Sequence, residues 1–61
     1  MQVTYTGETK AAKSVNGKDV KLENSSVYKC MEKEYHSGLF VRISLDSGEH
    51  VKVKRSELQK V

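Results

Sequence analysis

The chain has 61 residues, with 11 Lys and Arg against 8 Asp and Glu and a formal net charge of +3 at pH 7. A chain this short buries only about 60% of its unfolded surface, so we expect one domain (residues 1–61) with a free energy of unfolding of a few kcal/mol. The lone Cys30 excludes an internal disulfide, and the longest apolar run, at residues 39–41, is far shorter than the roughly 20 residues of a membrane span. We therefore predict a soluble, cytoplasmic protein without a secretory signal.

The first third of the chain predicts one strand and a long loop. Residues 1–6 alternate between apolar and polar side chains and favour a short strand. Residues 7–18 are polar and contain Asn16-Gly17, a strong signal for a tight reversal, which predicts a long, hairpin-like first loop. A helical turn over residues 8–13 is the alternative, although it has few apolar residues to anchor it.

The middle of the chain permits two strand registers over residues 27–34. In one of them Tyr28 and Cys30 face the core; in the other, Lys29 and Lys33 do. We predict the first register, because burying an unpaired ammonium group costs far more than exposing a methionine. Lys29 and Lys33 are then expected on the outer face of the sheet, followed by a turn at residues 35–38.

The last third predicts a β-hairpin, one helical turn and a final strand. Apolar residues occupy every second position of residues 39–45, starting with Leu39, and the alternation resumes over residues 49–54. Gly48 can adopt the left-handed conformation that closes the turn between them. Residues 55–58 predict one turn of 3-10 helix, and residues 59–61 a short edge strand.

The predicted core consists of the inward apolar residues of these strands. They are Val3, Tyr5, Val20, Leu22, Tyr28, Cys30, Val41, Ile43, Leu45, Val51, Val53 and Leu58. Five short strands, a long first loop, a tight hairpin and a 3-10 turn before the last strand predict an all-β protein, a five-stranded SH3-like barrel. An OB-type barrel, or a small α+β fold that uses a helix over residues 8–13, is the alternative.

Four segments resemble small bacterial and bacteriophage proteins with an SH3-like barrel. They read LENSSVYKC (residues 22–30), FVRI (residues 40–43), DSGE (residues 46–49) and SELQKV (residues 56–61), and the resemblance covers about residues 20–61. It implies the fold and says little about chemistry, because those families are known mostly as folds. The proline-rich peptide groove of eukaryotic SH3 domains does not carry over, because that groove uses a tryptophan and this chain has none.

The best functional candidate in the sequence is a surface. The outward side chains of three neighbouring strands are expected to gather cations around an aromatic ring and a methionine; they are Lys29, Lys33, Arg42, Lys52 and Lys54 around Phe40 and Met31. Single-stranded nucleic acid binds such faces, because cations neutralise its phosphates and its bases stack on aromatic rings. The sequence therefore predicts binding to RNA or single-stranded DNA.

Other interpretations of the same residues stay open. The cations suit an acidic host-protein surface equally well, which would make this a regulatory module, including one encoded by a phage. Alternatively, the lysines only solubilise the sheet and Phe40 covers an open end of the barrel. Cys30, His36 and His50 lack the spacing of a zinc site, so we expect no metal, no cofactor and no enzymatic activity. Val61, on the edge strand, leaves the oligomeric state open.

Overall fold

The computed structural model describes residues 1–61 and consists mostly of strands. The strands are β1 (Gln2–Tyr5), β2 (Lys10–Lys13), β3 (Asp19–Leu22), β4 (Val27–Cys30), β5 (Phe40–Ser44), β6 (His50–Lys54) and β7 (Leu58–Lys60). A short helix, α1 (Glu32–Ser37), follows β4, and a 3-10 turn (Arg55–Glu57) precedes β7. The predicted all-β class is confirmed, and so is the 3-10 turn before the last strand.

Five strands form an antiparallel sheet in the order β6-β5-β4-β1-β7, and β2 and β3 form a separate hairpin. The two sheets do not close into a barrel. The predicted first loop, residues 7–18, contains β2 and the turn of this hairpin, whereas β3 follows it. The alternative helix over residues 8–13 is wrong, because residues 10–13 pair along their whole length with β3. The hairpin touches the edge of the main sheet where the Val15 N–H donates to the His50 carbonyl (2.8 Å).

Glycines close two of the predicted turns, those at Gly17 and Gly48, with left-handed backbone. Gly17 has φ 83° and Gly48 has φ 90°, the region that residues with a Cβ rarely occupy. In the second turn the Gly48 N–H donates to the Leu45 carbonyl (3.0 Å), and the Leu45 N–H donates to Glu49 (2.8 Å). Both reversals predicted from the sequence are therefore confirmed.

Replacing Gly48 tests how much this turn conformation matters. A Cβ at Gly48 meets no atom within 4 Å, so the cost of Gly48→Ala is purely conformational. We expect a loss of about 1–2 kcal/mol in the free energy of unfolding, measured by urea denaturation. Ser47→Ala in the same turn is the control and should change it by less than about 0.5 kcal/mol. Equal losses in the two variants would contradict this account of the turn.

The core is the one that alternation predicts. Nine of the predicted residues are buried and form a single cluster: Val3, Tyr5, Leu22, Cys30, Val41, Ile43, Val51, Val53 and Leu58. The other three, Val20, Tyr28 and Leu45, are partly buried against it. Burial of Cys30 also confirms the register chosen for β4, and it raises the pKa of the Cys30 thiol by removing it from water.

The fourth strand is shorter than predicted. It ends at Cys30, and residues 32–37 form α1 where the sequence predicted more strand and then a turn. Glu32 and Glu34 lie in the first helical turn, where acidic side chains are favourable, and Glu32 approaches His36 one turn later (3.7 Å). The charged residues of this segment therefore support a helix. The alternation that suggested a strand over residues 31–34 does not correspond to one.

Candidate functional site

Three strands present a common outer face. On β5 and β6 the burial alternates along each strand, so Arg42 and Lys52 are cross-strand partners on the exposed side. The neighbouring pair is Phe40 opposite Lys54. On β4, Lys29 pairs with Ser44 and joins the same face. The predicted gathering of cations on one side of the sheet is therefore present for four of the five candidates, namely Lys29, Arg42, Lys52 and Lys54.

The remaining candidates on β4 do not lie on this sheet. Lys33 is an exposed residue of α1, and Met31, which is 65% exposed, lies between β4 and that helix. Their predicted place on the outer face is wrong, because the strand that was to carry them ends at Cys30. Lys33 therefore lies on α1, and Met31 is the residue that immediately precedes this helix.

Phe40 is a surface residue. Its side chain is 52% exposed, and the Lys52 ammonium lies 6.0 Å from the centre of its ring. Phe40 also borders a groove of about 410 Å³ together with Val15, Arg42 and Lys52. Half of the Phe40 side chain is therefore accessible to solvent, with a cation beside its ring.

The charges of the molecule are segregated. The cations near the β2-β3 hairpin are paired with acids: Lys10 with Glu57, Lys13 with Asp19, Lys18 with Glu49, and Lys21 with Glu23. In contrast, six cations form no salt bridge, and four of them are candidate residues. The six are Lys29, Lys33, Lys52, Lys54, Arg55 and Lys60. The uncompensated positive charge thus lies mainly on the outer face and its surroundings.

Arg42 is the candidate that is already paired. Glu34 of α1 accepts from the Arg42 backbone N–H (3.0 Å, Oε1) and from its guanidinium (3.1 Å, Oε2). Because β4 ends at Cys30, the Arg42 N–H has no strand beside it, and the Glu34 carboxylate takes the place of a strand carbonyl. These two hydrogen bonds from Arg42 hold the pKa of Glu34 below its ordinary value. Sequence analysis missed Glu34 because the contact depends on α1.

The lowered pKa of Glu34 predicts an acid-sensitive contribution to stability. Since the folded pKa lies below the ordinary value of 4.5, the stabilisation is fully present above pH 4.5 and is lost as the pH falls through the folded pKa. We expect Glu34→Gln to be less stable than the native protein at pH 7 and to lose less stability between pH 5 and pH 3, as measured by urea denaturation. Parallel pH profiles would contradict the pairing.

Leu39 does not face the core, although the alternation of residues 39–45 predicts that it does. It is 84% exposed, because it precedes the strand and lies beyond the last inward residue, Val41. With Phe40, Lys54 and Arg55 it borders a groove of about 330 Å³ at the open end of the hairpin. At this end of the face, the exposed apolar side chain of Leu39 therefore lies beside two cations, Lys54 and Arg55.

Neither a protein family nor a curated protein nor a solved structure matches the chain. No helix has the length and apolar character needed to cross a membrane. No group of three His, Cys, Asp or Glu side chains is placed to hold a metal ion.

Proposed function

We propose that this protein is a non-enzymatic binding module whose outer sheet face binds single-stranded nucleic acid, either RNA or DNA. The observation that carries the proposal is the half-exposed Phe40 ring beside two lysines of β6, Lys52 and Lys54, that form no salt bridge. A base can stack on the ring while the lysines neutralise the flanking phosphates. Stacking of this kind contributes about 1–3 kcal/mol per base.

The segregation of charge supports the same proposal. Cations that are already paired with acids on the protein gain little from a polyanion, whereas unpaired ones release counterions when it binds. Lys29 extends the set of unpaired cations to β4. A single-stranded nucleic acid that crosses the face therefore meets cations from three neighbouring β-strands. The absence of an acidic partner for Lys29, Lys52 and Lys54 makes these the residues that contribute most of the electrostatic affinity.

We also propose that the architecture is an open relative of the SH3-like barrel. Support comes from the long first connection occupied by the β2-β3 hairpin, the tight β5-β6 hairpin, and the 3-10 turn that leads into β7. The position of β7 beside β1 brings the two ends of the chain together. The fold argues for a surface site, because the molecule has little volume for an enclosed one.

An acidic protein surface is the second candidate partner, and the exposed Leu39 favours it. Leu39 is 84% exposed beside Phe40, so a partner protein can bury these two apolar side chains. Lys54 and Arg55 can then pair with acidic residues of the partner. Such a partner would use the open end of the hairpin more than the centre of the face. Leu39→Ala should then weaken binding as strongly as a change at Phe40.

The test is a titration of labelled single-stranded RNA and DNA, followed by fluorescence anisotropy at two salt concentrations. We expect the affinity to fall steeply with salt, and Phe40→Ala to weaken binding roughly five- to 100-fold at low salt through loss of base stacking. Val27→Ala is the matched control, because Val27 is also 52% exposed. It lies on β4 two residues before Lys29, on the side away from Phe40, and its truncation removes neither a ring nor a charge, so the affinity should be unchanged.

Thermal unfolding of both variants accompanies the titration. Phe40→Ala should melt within a few degrees of the native protein, because its ring is half in solvent. No binding of either nucleic acid at low salt would reject the proposal and favour the protein partner. A binding loss equal in Phe40→Ala and Val27→Ala would reject the role of stacking.

A further inference from the structure

A second feature of the outer face is a cavity of about 320 Å³ at the end away from Phe40. It is bordered by residues of β4, α1, β5 and β6, among them Lys29, Glu34, Arg42, Ser44 and His50. Lys29, Ser44 and His50 occupy one row across three adjacent strands, because Ser44 pairs with Lys29 on one side and with His50 on the other. Cationic and hydroxyl side chains therefore converge on a single concave spot.

Ser44 and His50 supply a hydrogen-bond donor to this cavity whichever tautomer the imidazole adopts. Ser44 Oγ and His50 Nδ1 lie 3.0 Å apart. If the hydroxyl donates to Nδ1, the Nε2–H of the ring stays free; if Nδ1–H donates to Oγ, the hydroxyl proton stays free. In both cases the pair offers one N–H or O–H to an acceptor. An anion is the ligand that uses such a donor together with the Lys29 ammonium.

The charges around the cavity match one negative charge. Lys29 and Arg42 are cationic and Glu34 is anionic, so the Lys, Arg and Glu side chains around the cavity leave one uncompensated positive charge. A phosphodiester carries one negative charge, whereas a terminal phosphate carries nearly two at this pH. The balance therefore favours an internal phosphate of a nucleic-acid strand.

We propose that this cavity is a subsite for a backbone phosphodiester, and that Glu34 weakens it by holding part of the Arg42 guanidinium. The inference rests on the proposed function, and it names which phosphate contacts the protein and through which atoms. Lys29 and the Ser44-His50 pair contact the phosphate oxygens. Arg42, held by Glu34 through Nη2 at 3.1 Å, contributes its remaining donors.

The distance along β5 separates this subsite from the ring of Phe40. The row of Ser44 is four positions along β5 from the row of Phe40, which corresponds to about 13 Å at 3.3–3.4 Å per residue. This distance is several times the spacing of about 3.4 Å between successive nucleotides of a stacked strand. The base on Phe40 and the phosphate in the cavity therefore belong to different nucleotides, and a mononucleotide cannot occupy both.

The experiment uses dimethyl phosphate, a diester monoanion without a base, in an amide NMR titration with sodium chloride at equal ionic strength as the control. We expect shifts at Lys29, Ser44 and His50 that the chloride titration does not produce. Glu34→Gln should tighten dimethyl phosphate binding about fivefold, because the amide oxygen still accepts from the Arg42 N–H while the negative charge is removed. A gain in affinity cannot result from unfolding.

Two further variants complete the design. Lys29→Gln should weaken dimethyl phosphate binding about fivefold, whereas Lys60→Gln, on the far edge strand β7, should leave it unchanged. The same variants are then titrated with a labelled single strand of about 12 nucleotides. We expect the same order of affinities, with Glu34→Gln tightest and Lys29→Gln weakest.

The outcomes separate this inference from the proposed function. Dimethyl phosphate binding without any binding of the oligonucleotide rejects the nucleic-acid function and supports the anion subsite by itself. Oligonucleotide binding that is lost in Phe40→Ala but unaffected in Lys29→Gln and Glu34→Gln overturns the subsite and supports the stacking face. An absence of specific shifts at Lys29, Ser44 and His50 also overturns the subsite.

Discussion

Leu22→Ala is expected to leave the protein largely unfolded at room temperature. Leu22 is 1% exposed and is the only fully buried residue of the β2-β3 hairpin. Truncating a buried leucine to alanine costs about 2–5 kcal/mol, since apolar burial is lost and a cavity remains. A 61-residue domain without disulfides has a total stability of only a few kcal/mol, so this loss is comparable to the whole.

The matched control is Leu39→Ala, which makes the same chemical change at a side chain that is 84% exposed. Its free energy of unfolding should change by less than about 0.5 kcal/mol. Circular dichroism against urea concentration and the dispersion of amide NMR signals measure both variants. A well-folded Leu22→Ala protein, or equal losses in the two variants, would show that the hairpin does not depend on Leu22 for its attachment to the core.

Lys52→Glu is expected to weaken binding of single-stranded nucleic acid roughly tenfold at low salt, about 1.4 kcal/mol. The change removes the ammonium group that lies 6.0 Å from the centre of the Phe40 ring and places a carboxylate at the same strand position. It also removes one counterion-releasing contact. The slope of log affinity against log salt should therefore fall by about 0.7 for a single strand.

Lys60→Glu provides the control for this change. It alters the net charge by the same amount at another lysine without a salt bridge, but on β7, at the opposite edge of the sheet from β6. Anisotropy titrations of both variants should show the loss only for Lys52→Glu. Equal losses would mean that the net charge of +3, and not the outer face, determines the affinity.

The β5-β6 hairpin illustrates what local sequence can predict. The inward positions of Val41, Ile43, Val51 and Val53 follow from a period of two, because successive side chains of a strand point to opposite faces. Gly48 marks the turn because few other residues tolerate φ 90°. These local rules predict the core residues, and they also predict the cations beside an aromatic ring on the outer face.

The end of β4 illustrates what local sequence cannot predict. Residues 27–34 satisfy the strand pattern as well as residues 27–30 do, and the choice depends on how α1 packs beside β5. The contact between Glu34 and Arg42 joins residues of two elements and creates one side of the proposed phosphate cavity. The prediction for Lys33 and Met31 is wrong for the same reason, since it depends on a β4 that continues to residue 34.

Local sequence is enough to predict the all-β class, the turns at Gly17 and Gly48, the burial of nine core residues and the outward direction of Phe40, Arg42, Lys52 and Lys54. These depend on side-chain period and backbone conformation, which neighbouring residues specify. The open arrangement of the sheets, the ion pairs of four lysines of the hairpin and the contact between Glu34 and Arg42 appear only in the folded structure. Those features depend on contacts between residues distant in the chain, whose geometry exists only once the elements have packed.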